Sequence, residues 1–144
     1  MALLNYPRRP EVALTVLRIA LGVVFIVHGA QKMFVWGHAG TASAFGHMGV
    51  TAPGLAAAYS MIVELIGGLL LVLGLLTPIV SALLAIDMLG AIIFVHSKGG
   101  FFVPNGIEFT GMLLASAIAI LIGGPGRFAL DNMHVERTEH VMAR

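Results

Sequence analysis

Long apolar runs broken by short polar punctuation dominate the chain. A spanning helix needs about 20 mostly apolar residues, and four stretches qualify as candidates: about 11–36, 54–76, 78–97 and 106–123. The first follows the breaker-rich Tyr6-Pro7-Arg8-Arg9-Pro10, and the second has Pro53 just ahead of it. The third opens on Pro78, a residue suited to the first helical turn. Gly124-Pro125-Gly126 stops the fourth. Only a turn around Thr77-Pro78 separates the second from the third, so these two are expected to form a tight antiparallel hairpin. The pattern predicts an all-α fold, a polytopic membrane protein built as a four-helix transmembrane bundle in a single domain over 1–144.

The first run is expected to stay attached. Arg8 and Arg9 precede it, and Ala42-Ser43-Ala44 has the small-residue form of a cleavage site. However, the run is longer than a signal-peptide core and is interrupted by Arg18. Basic residues outside the spans set the orientation. Arg8 and Arg9 lie before the first span, Arg127, Arg137 and Arg144 after the last, and the 37–53 connection carries no Lys or Arg. The positive-inside rule then places both termini in the cytoplasm and 37–53 outside. Within that connection, Thr41 to Met48 admits one or two helical turns with Phe45 and Met48 on one side, lying on the membrane surface as a partial lid. An irregular loop fits the same residues.

Composition agrees with membrane residence. Of 144 residues, 58% are hydrophobic and 10% charged, against about 25% charged in soluble domains; mean hydropathy is +0.97. A net charge of +1 without a basic stripe argues against a nucleic-acid partner. Cysteine is absent. That excludes disulfides, thiolate-ligated iron–sulfur clusters and the Cys-x-x-Cys chemistry of some four-helix membrane oxidoreductases.

Candidate chemistry lies in the polar residues that interrupt the apolar runs. Arg18 is in the first span, with His28, Gln31 and Lys32 toward its outer end; Glu64 is in the second. Asp87 is in the third, with His96 and Lys98 at its outer end, and Glu108 opens the fourth. A charge at the bilayer centre costs about 2.5–3.5 kcal/mol on insertion scales, so such residues face the bundle interior and pair. At about 100° per residue, four stripes follow. They are Arg18, Gly22, Phe25, Gly29, Lys32; Glu64, Gly68, Leu71, Leu75; Asp87, Ala91, Phe94, Lys98; and Glu108, Gly111, Ala115, Ala119. Small residues accompany each charge, as close helix packing requires. His96 points about 180° from Asp87 on a regular helix and joins the others only if the helix distorts. Depth gives Arg18 two carboxylate partners, Asp87 at its own level and Glu64 one turn above. The same charges serve equally as pairs that fix helix order, with Lys32 and Lys98 snorkelling to headgroups.

Few specific chemistries fit. His28 and His96 are the only histidine pair within the spans for a b-type haem, and their angular mismatch speaks against it. No tight H-x-x-H spacing marks a metal site, and neither a phosphate-binding glycine loop nor a nucleotide fingerprint occurs. A quinone-type ligand fits better. Its ring carbonyls want donors such as His28, Gln31, Lys32 or Arg18, a carboxylate such as Glu64 supplies protons, and an apolar tail suits a pocket between helices.

Several motifs in order along the chain resemble the DoxX family of small four-helix membrane proteins. They are Leu17-Arg18-Ile19-Ala20-Leu21-Gly22, His28-Gly29-x-x-Lys32, Glu64-x-x-Gly67-Gly68 with Gly74, His96, Gly106-x-Glu108 and Gly124-Pro125-Gly126-Arg127-Phe128-x-x-Asp131. The family's name comes from a membrane subunit of thiosulfate:quinone oxidoreductase and quinol oxidase assemblies. The resemblance implies a multi-pass protein of the bacterial cytoplasmic membrane that binds a quinone or similar lipophilic molecule and works with a redox partner. A non-catalytic accessory subunit of a larger membrane complex and a small-solute transporter stay open, as does oligomerisation.

Overall fold

The computed structural model describes residues 9–133; Arg8, Arg137 and Arg144 of the orientation argument lie outside them. Among the described residues every regular element is helical: α1 Pro10–Ala30, α2 Gly37–His47, α3 Pro53–Leu73, α4 Thr77–Gly90 and α5 Glu108–Gly123. Two π-helical segments, Gln31–Trp36 and Ala91–His96, prolong α1 and α4, and a 3-10 turn at Ser97–Gly99 follows the second. Proline stands in the first turn of α1, α3 and α4, where its missing N–H leaves no intrahelical bond unmade.

Three helical runs, Pro10–His47, Pro53–Leu73 and Thr77–Gly99, are long and apolar enough to cross a membrane. The fourth apolar helix, α5, has 16 residues, about 24 Å of rise against a hydrocarbon core of about 30 Å. The 37–53 connection is mostly helix. Gly37, at φ 68°, breaks the axis after Trp36, and α2 then packs on α3. Thr41 is buried there, and His38 Nε2 donates to the Gly54 carbonyl at 2.9 Å.

α1 packs on α3, α3 on α4, α4 on α5, and α5 back on α1, closing a ring around a core that includes Phe25, Leu71, Leu84 and Ile120. The α1–α3 crossing is the tightest. A Cβ on Gly22 would come within 2.8 Å of the Gly68 carbonyl oxygen, and one on Gly68 within 2.8 Å of the Gly22 oxygen. Neither helix tolerates a side chain at that crossing. The expected stripes of the first two spans match this face. Those of the last two do not. α4 buries Val80, Ser81, Leu84 and Met88 while Phe94 and Lys98 are exposed, and α5 buries Thr110, Leu113, Ala117 and Ile120 rather than Ala115 and Ala119. Both helices are apolar nearly all round, so periodicity alone does not choose their inward face.

Residues 124–131 fold back under the bundle. Arg127 N donates to Glu11 O at 3.1 Å and Asp131 N to Gly74 O at 2.9 Å. The Asp131 carboxylate then accepts from Leu76 N at 2.8 Å and Thr77 N at 2.9 Å, satisfying the first free N–H groups of α4. Leu76 and Gly74 both have positive φ, so this remote carboxylate caps a turn too tight to supply its own cap.

Candidate functional site

Gly29 lets α1 settle directly on the backbone of Glu64 and Leu65 in α3. One turn farther along, that contact drops Lys32 onto Glu64, and Lys32 Nζ donates to Glu64 Oε2 at 2.5 Å. Glu64 is 2% exposed, so this ion pair is nearly dry. Beside it lies a cavity of about 510 Å³. Asp87 lies against Glu64 in its lining, and Ser60 Oγ donates to Asp87 Oδ2 at 3.5 Å. Six aromatic side chains, Phe25, Trp36, Phe45, Tyr59, Phe94 and Phe109, form most of the walls. Tyr59 is pinned by its hydroxyl, which donates to Leu83 O at 2.8 Å. His28 meets Phe109 edge to face, with ring centres 5.9 Å apart.

His96 reaches the same cavity, although a regular helix would aim it away from Asp87. The π-helical segment Ala91–His96 explains this: each wider π turn shifts the angular register of everything after it. The His96 ring is then fixed by Nδ1, 3.1 Å from Asn105 O. A carbonyl oxygen only accepts, so Nδ1 carries hydrogen and neutral His96 presents Nε2 as an acceptor. A second π-helical segment, Gln31–Trp36, begins beside Lys32 on the other wall.

Of the residues singled out from sequence, the fold brings His28, Lys32, Glu64, Asp87 and His96 around one cavity. Gln31 and Lys98 are exposed outside it. Glu108 folds the preceding loop, its Oε1 accepting from Val103 N at 2.8 Å. Arg18 is the main correction. It pairs with neither Asp87 nor Glu64 but, at 0% exposure, serves the opposite end of the bundle. Nε donates to Pro125 O at 2.8 Å, Nη1 to the carbonyls of Leu71 and Val72, and Nη2 to Phe128 O at 2.7 Å. Two of these acceptors are last-turn carbonyls of α3, the negative end of its dipole, where a cation is favoured. The guanidinium is satisfied by backbone instead of carboxylate.

Sequence reasoning missed Ser60, Tyr59 and most of the aromatic wall. The signal for Ser60 was its place one turn before Glu64. It also gave Asp131 no role, though the residue closes the Gly124-Pro125-Gly126-Arg127-Phe128-x-x-Asp131 string. Partial burial works against the Asp131 charge, but the Thr77 and Leu76 backbone N–H groups and nearby Arg18 outweigh it, holding the carboxyl below its ordinary range.

The charge balance of the cavity decides what it can do. Lys32 and Glu64 neutralise each other, and among the described residues no basic side chain is bonded to Asp87. Among the described residues, no three His, Asp or Glu side chains converge as a metal site would need. What remains is an apolar, aromatic-walled chamber lined also by an ammonium donor, two carboxyl groups and two imidazoles.

Comparison with known proteins identifies the family. The DoxX family pattern matches residues 13–97. The chain is 38% identical over 121 residues to a Bacillus subtilis protein named "Putative oxidoreductase CatD", covering 84% of this chain and 86% of that one. It is 33% identical over 141 residues to a membrane protein of Mycobacterium tuberculosis, covering 89% and 85%. Identity to the inner membrane protein YphA of Escherichia coli is 33% over 126 residues, covering 83% and 89%. No solved structure matches the chain. A family pattern spanning more than half of the chain, together with relatives alike over most of their length, makes it a member of the DoxX family.

Proposed function

We propose that this protein crosses the cytoplasmic membrane four times, with α5 as a short fourth span and both termini inside, and that its cavity holds a quinone-type ligand reduced or oxidised with a partner protein. The cavity carries this reading: about 510 Å³, within the range of small-molecule sites, with aromatic walls and the Lys32–Glu64 pair and Asp87 among its lining. A quinone ring stacks between Phe and Tyr faces, one carbonyl accepts from Lys32 Nζ, and the isoprenoid tail leaves past Ile86 and Phe94, which are exposed at the mouth. Reduction to the quinol adds two electrons and two protons. The electrons come from the partner, and both protons come from water, relayed one at a time to the ring oxygens through the Asp87–Glu64 carboxyl pair, which is reprotonated from solvent after each transfer. The oxidoreductase in the name of the Bacillus relative and the inner-membrane placement in the name of the Escherichia relative support the class and the location.

Protein extracted in mild detergent is expected to release quinone into organic solvent, and Lys32→Ala protein to release less. Decylubiquinone added to stripped protein should quench Trp36, the single tryptophan of the chain and a wall residue of the cavity. Absence of both signals would overturn the quinone reading, and a stably co-purifying protein without ligand would favour an accessory role. Ser43→Cys, in α2, should react with an impermeant thiol reagent on intact cells; protection there would reverse the topology.

A further inference from the structure

Asp87 is the group that the ion pair leaves over. Lys32 is already joined to Glu64 at 2.5 Å; Asp87 accepts from Ser60 at 3.5 Å and lies against the Glu64 carboxyl group, and among the described residues no cation is paired with it. The other polar groups that line the cavity with Asp87 come from several helices. From α1 this is His28, from the segment beyond it Lys32, from α3 Tyr59, Ser60 and Glu64, and from the segment beyond α4 His96; α5 contributes Thr110 and no charge. With both carboxyl groups ionised, Lys32, Glu64 and Asp87 would together carry one negative charge in excess. An apolar chamber needs that charge balanced, by a proton on the carboxyl pair or by a cation drawn in beside it.

The walls suit a cation. Aromatic faces attract positive charge, most strongly where water is excluded, and aromatic cages of this kind recognise quaternary ammonium groups. Trp36, Phe45, Tyr59 and Phe94 line the same chamber as Asp87, whose volume of about 510 Å³ admits a bulky, weakly hydrated ion. Arg18, the one other buried cation of the described spans, is held by carbonyls at the far end and does not reach the site.

We infer that the cavity binds lipophilic monocations, of the quaternary ammonium or phosphonium class, by pairing them with Asp87 in exchange for one proton. The exchange balances: one positive charge enters, one proton leaves the Asp87–Glu64 pair, and no bond other than O–H is broken. This site goes beyond the quinone reading and does not depend on it, although the two ligands compete for the same space.

Tetraphenylphosphonium and tetraphenylborate are matched in size and opposite in charge, which makes them the probes of choice on the full chain in mild detergent. Tetraphenylphosphonium is expected to quench Trp36 and to release about one proton per ion bound, read by titration calorimetry in buffers of different ionisation enthalpy. Tetraphenylborate should do neither. Asp87→Asn should weaken tetraphenylphosphonium by about 10- to 100-fold and abolish proton release. If that variant does not fold, the matched ions on unaltered protein decide alone. Equal quenching by both ions, quenching by neither, or cation binding without proton release overturns the inference. Decylubiquinone separates the two proposals: quenching by it and not by the phosphonium leaves the quinone reading standing alone, and the converse leaves only the cation site.

Discussion

Arg18→Met tests whether the buried guanidinium is structural. Methionine fills much of the same space without a donor, so the change removes the hydrogen bonds to Leu71, Val72, Pro125 and Phe128 together. The Leu71 carbonyl keeps a bond from Gly74 N at 3.0 Å, which leaves three carbonyls without that donor. A stranded buried polar group costs about 1–3 kcal/mol. Part of this is recovered, because residues 124–131 can turn toward water and the guanidinium no longer has to be desolvated. A net loss of about 2–4 kcal/mol is therefore expected, read as a shifted midpoint when dodecylmaltoside micelles are titrated with dodecyl sulfate. Arg18→Lys should lose roughly half as much, since an ammonium keeps the charge but not the planar fork that spans four carbonyls. Exchanging charges, Arg18→Glu with Glu64→Arg, should rescue nothing. A loss below about 0.5 kcal/mol for Arg18→Met, or rescue by the exchange, would refute the carbonyl clasp.

Breaking the Lys32–Glu64 pair from one side should be worse than removing it: Lys32→Met alone should be less stable in the same titration than Lys32→Met with Glu64→Gln, because the single variant strands a carboxylate at 2% exposure. Gly29→Ala should disrupt the α1–α3 seat, where its Cβ meets Leu65 and Glu64 backbone, whereas Gly111→Ala, with nothing within 4 Å, should be neutral or up to about 1 kcal/mol stabilising; equal behaviour of the two would contradict the crossing. Asp131 has a depressed folded pKa, so its contribution is complete above the unfolded value of about 3.9 and is lost as pH falls below that toward the folded value. The stability gap between the unaltered chain and Asp131→Asn should then be flat from about pH 5 upward and close below about pH 4; a gap that widens on acidification would reverse the assignment.

What the sequence made legible follows from how helices report themselves. Apolar runs and proline starts fixed α1, α3 and α4, and the glycines beside charges marked the α1–α3 face because only a glycine admits another helix's backbone. The α4 and α5 faces were illegible for the converse reason: a helix with almost no polar positions has no phase to read. Misplacing Arg18 has a different origin. Charge counting offers a carboxylate for every buried cation, yet carbonyls at a helix C-terminus are acceptors that no residue type announces. They became visible only when the Gly124–Asp131 string was seen folded against α3. His96 shows the remaining limit. Its phase was right for an α-helix, and the helix is not α there, because the backbone between Ala91 and His96 widens into a π segment. A second π segment, Gln31–Trp36, begins at the same cavity on the facing helix. A π turn sacrifices regular hydrogen bonding and survives where tertiary contacts favour it. Two of them flanking one chamber imply that the aim of Lys32, Trp36 and His96 into it is what the departures from α geometry achieve, and periodicity taken from sequence assumes such departures away.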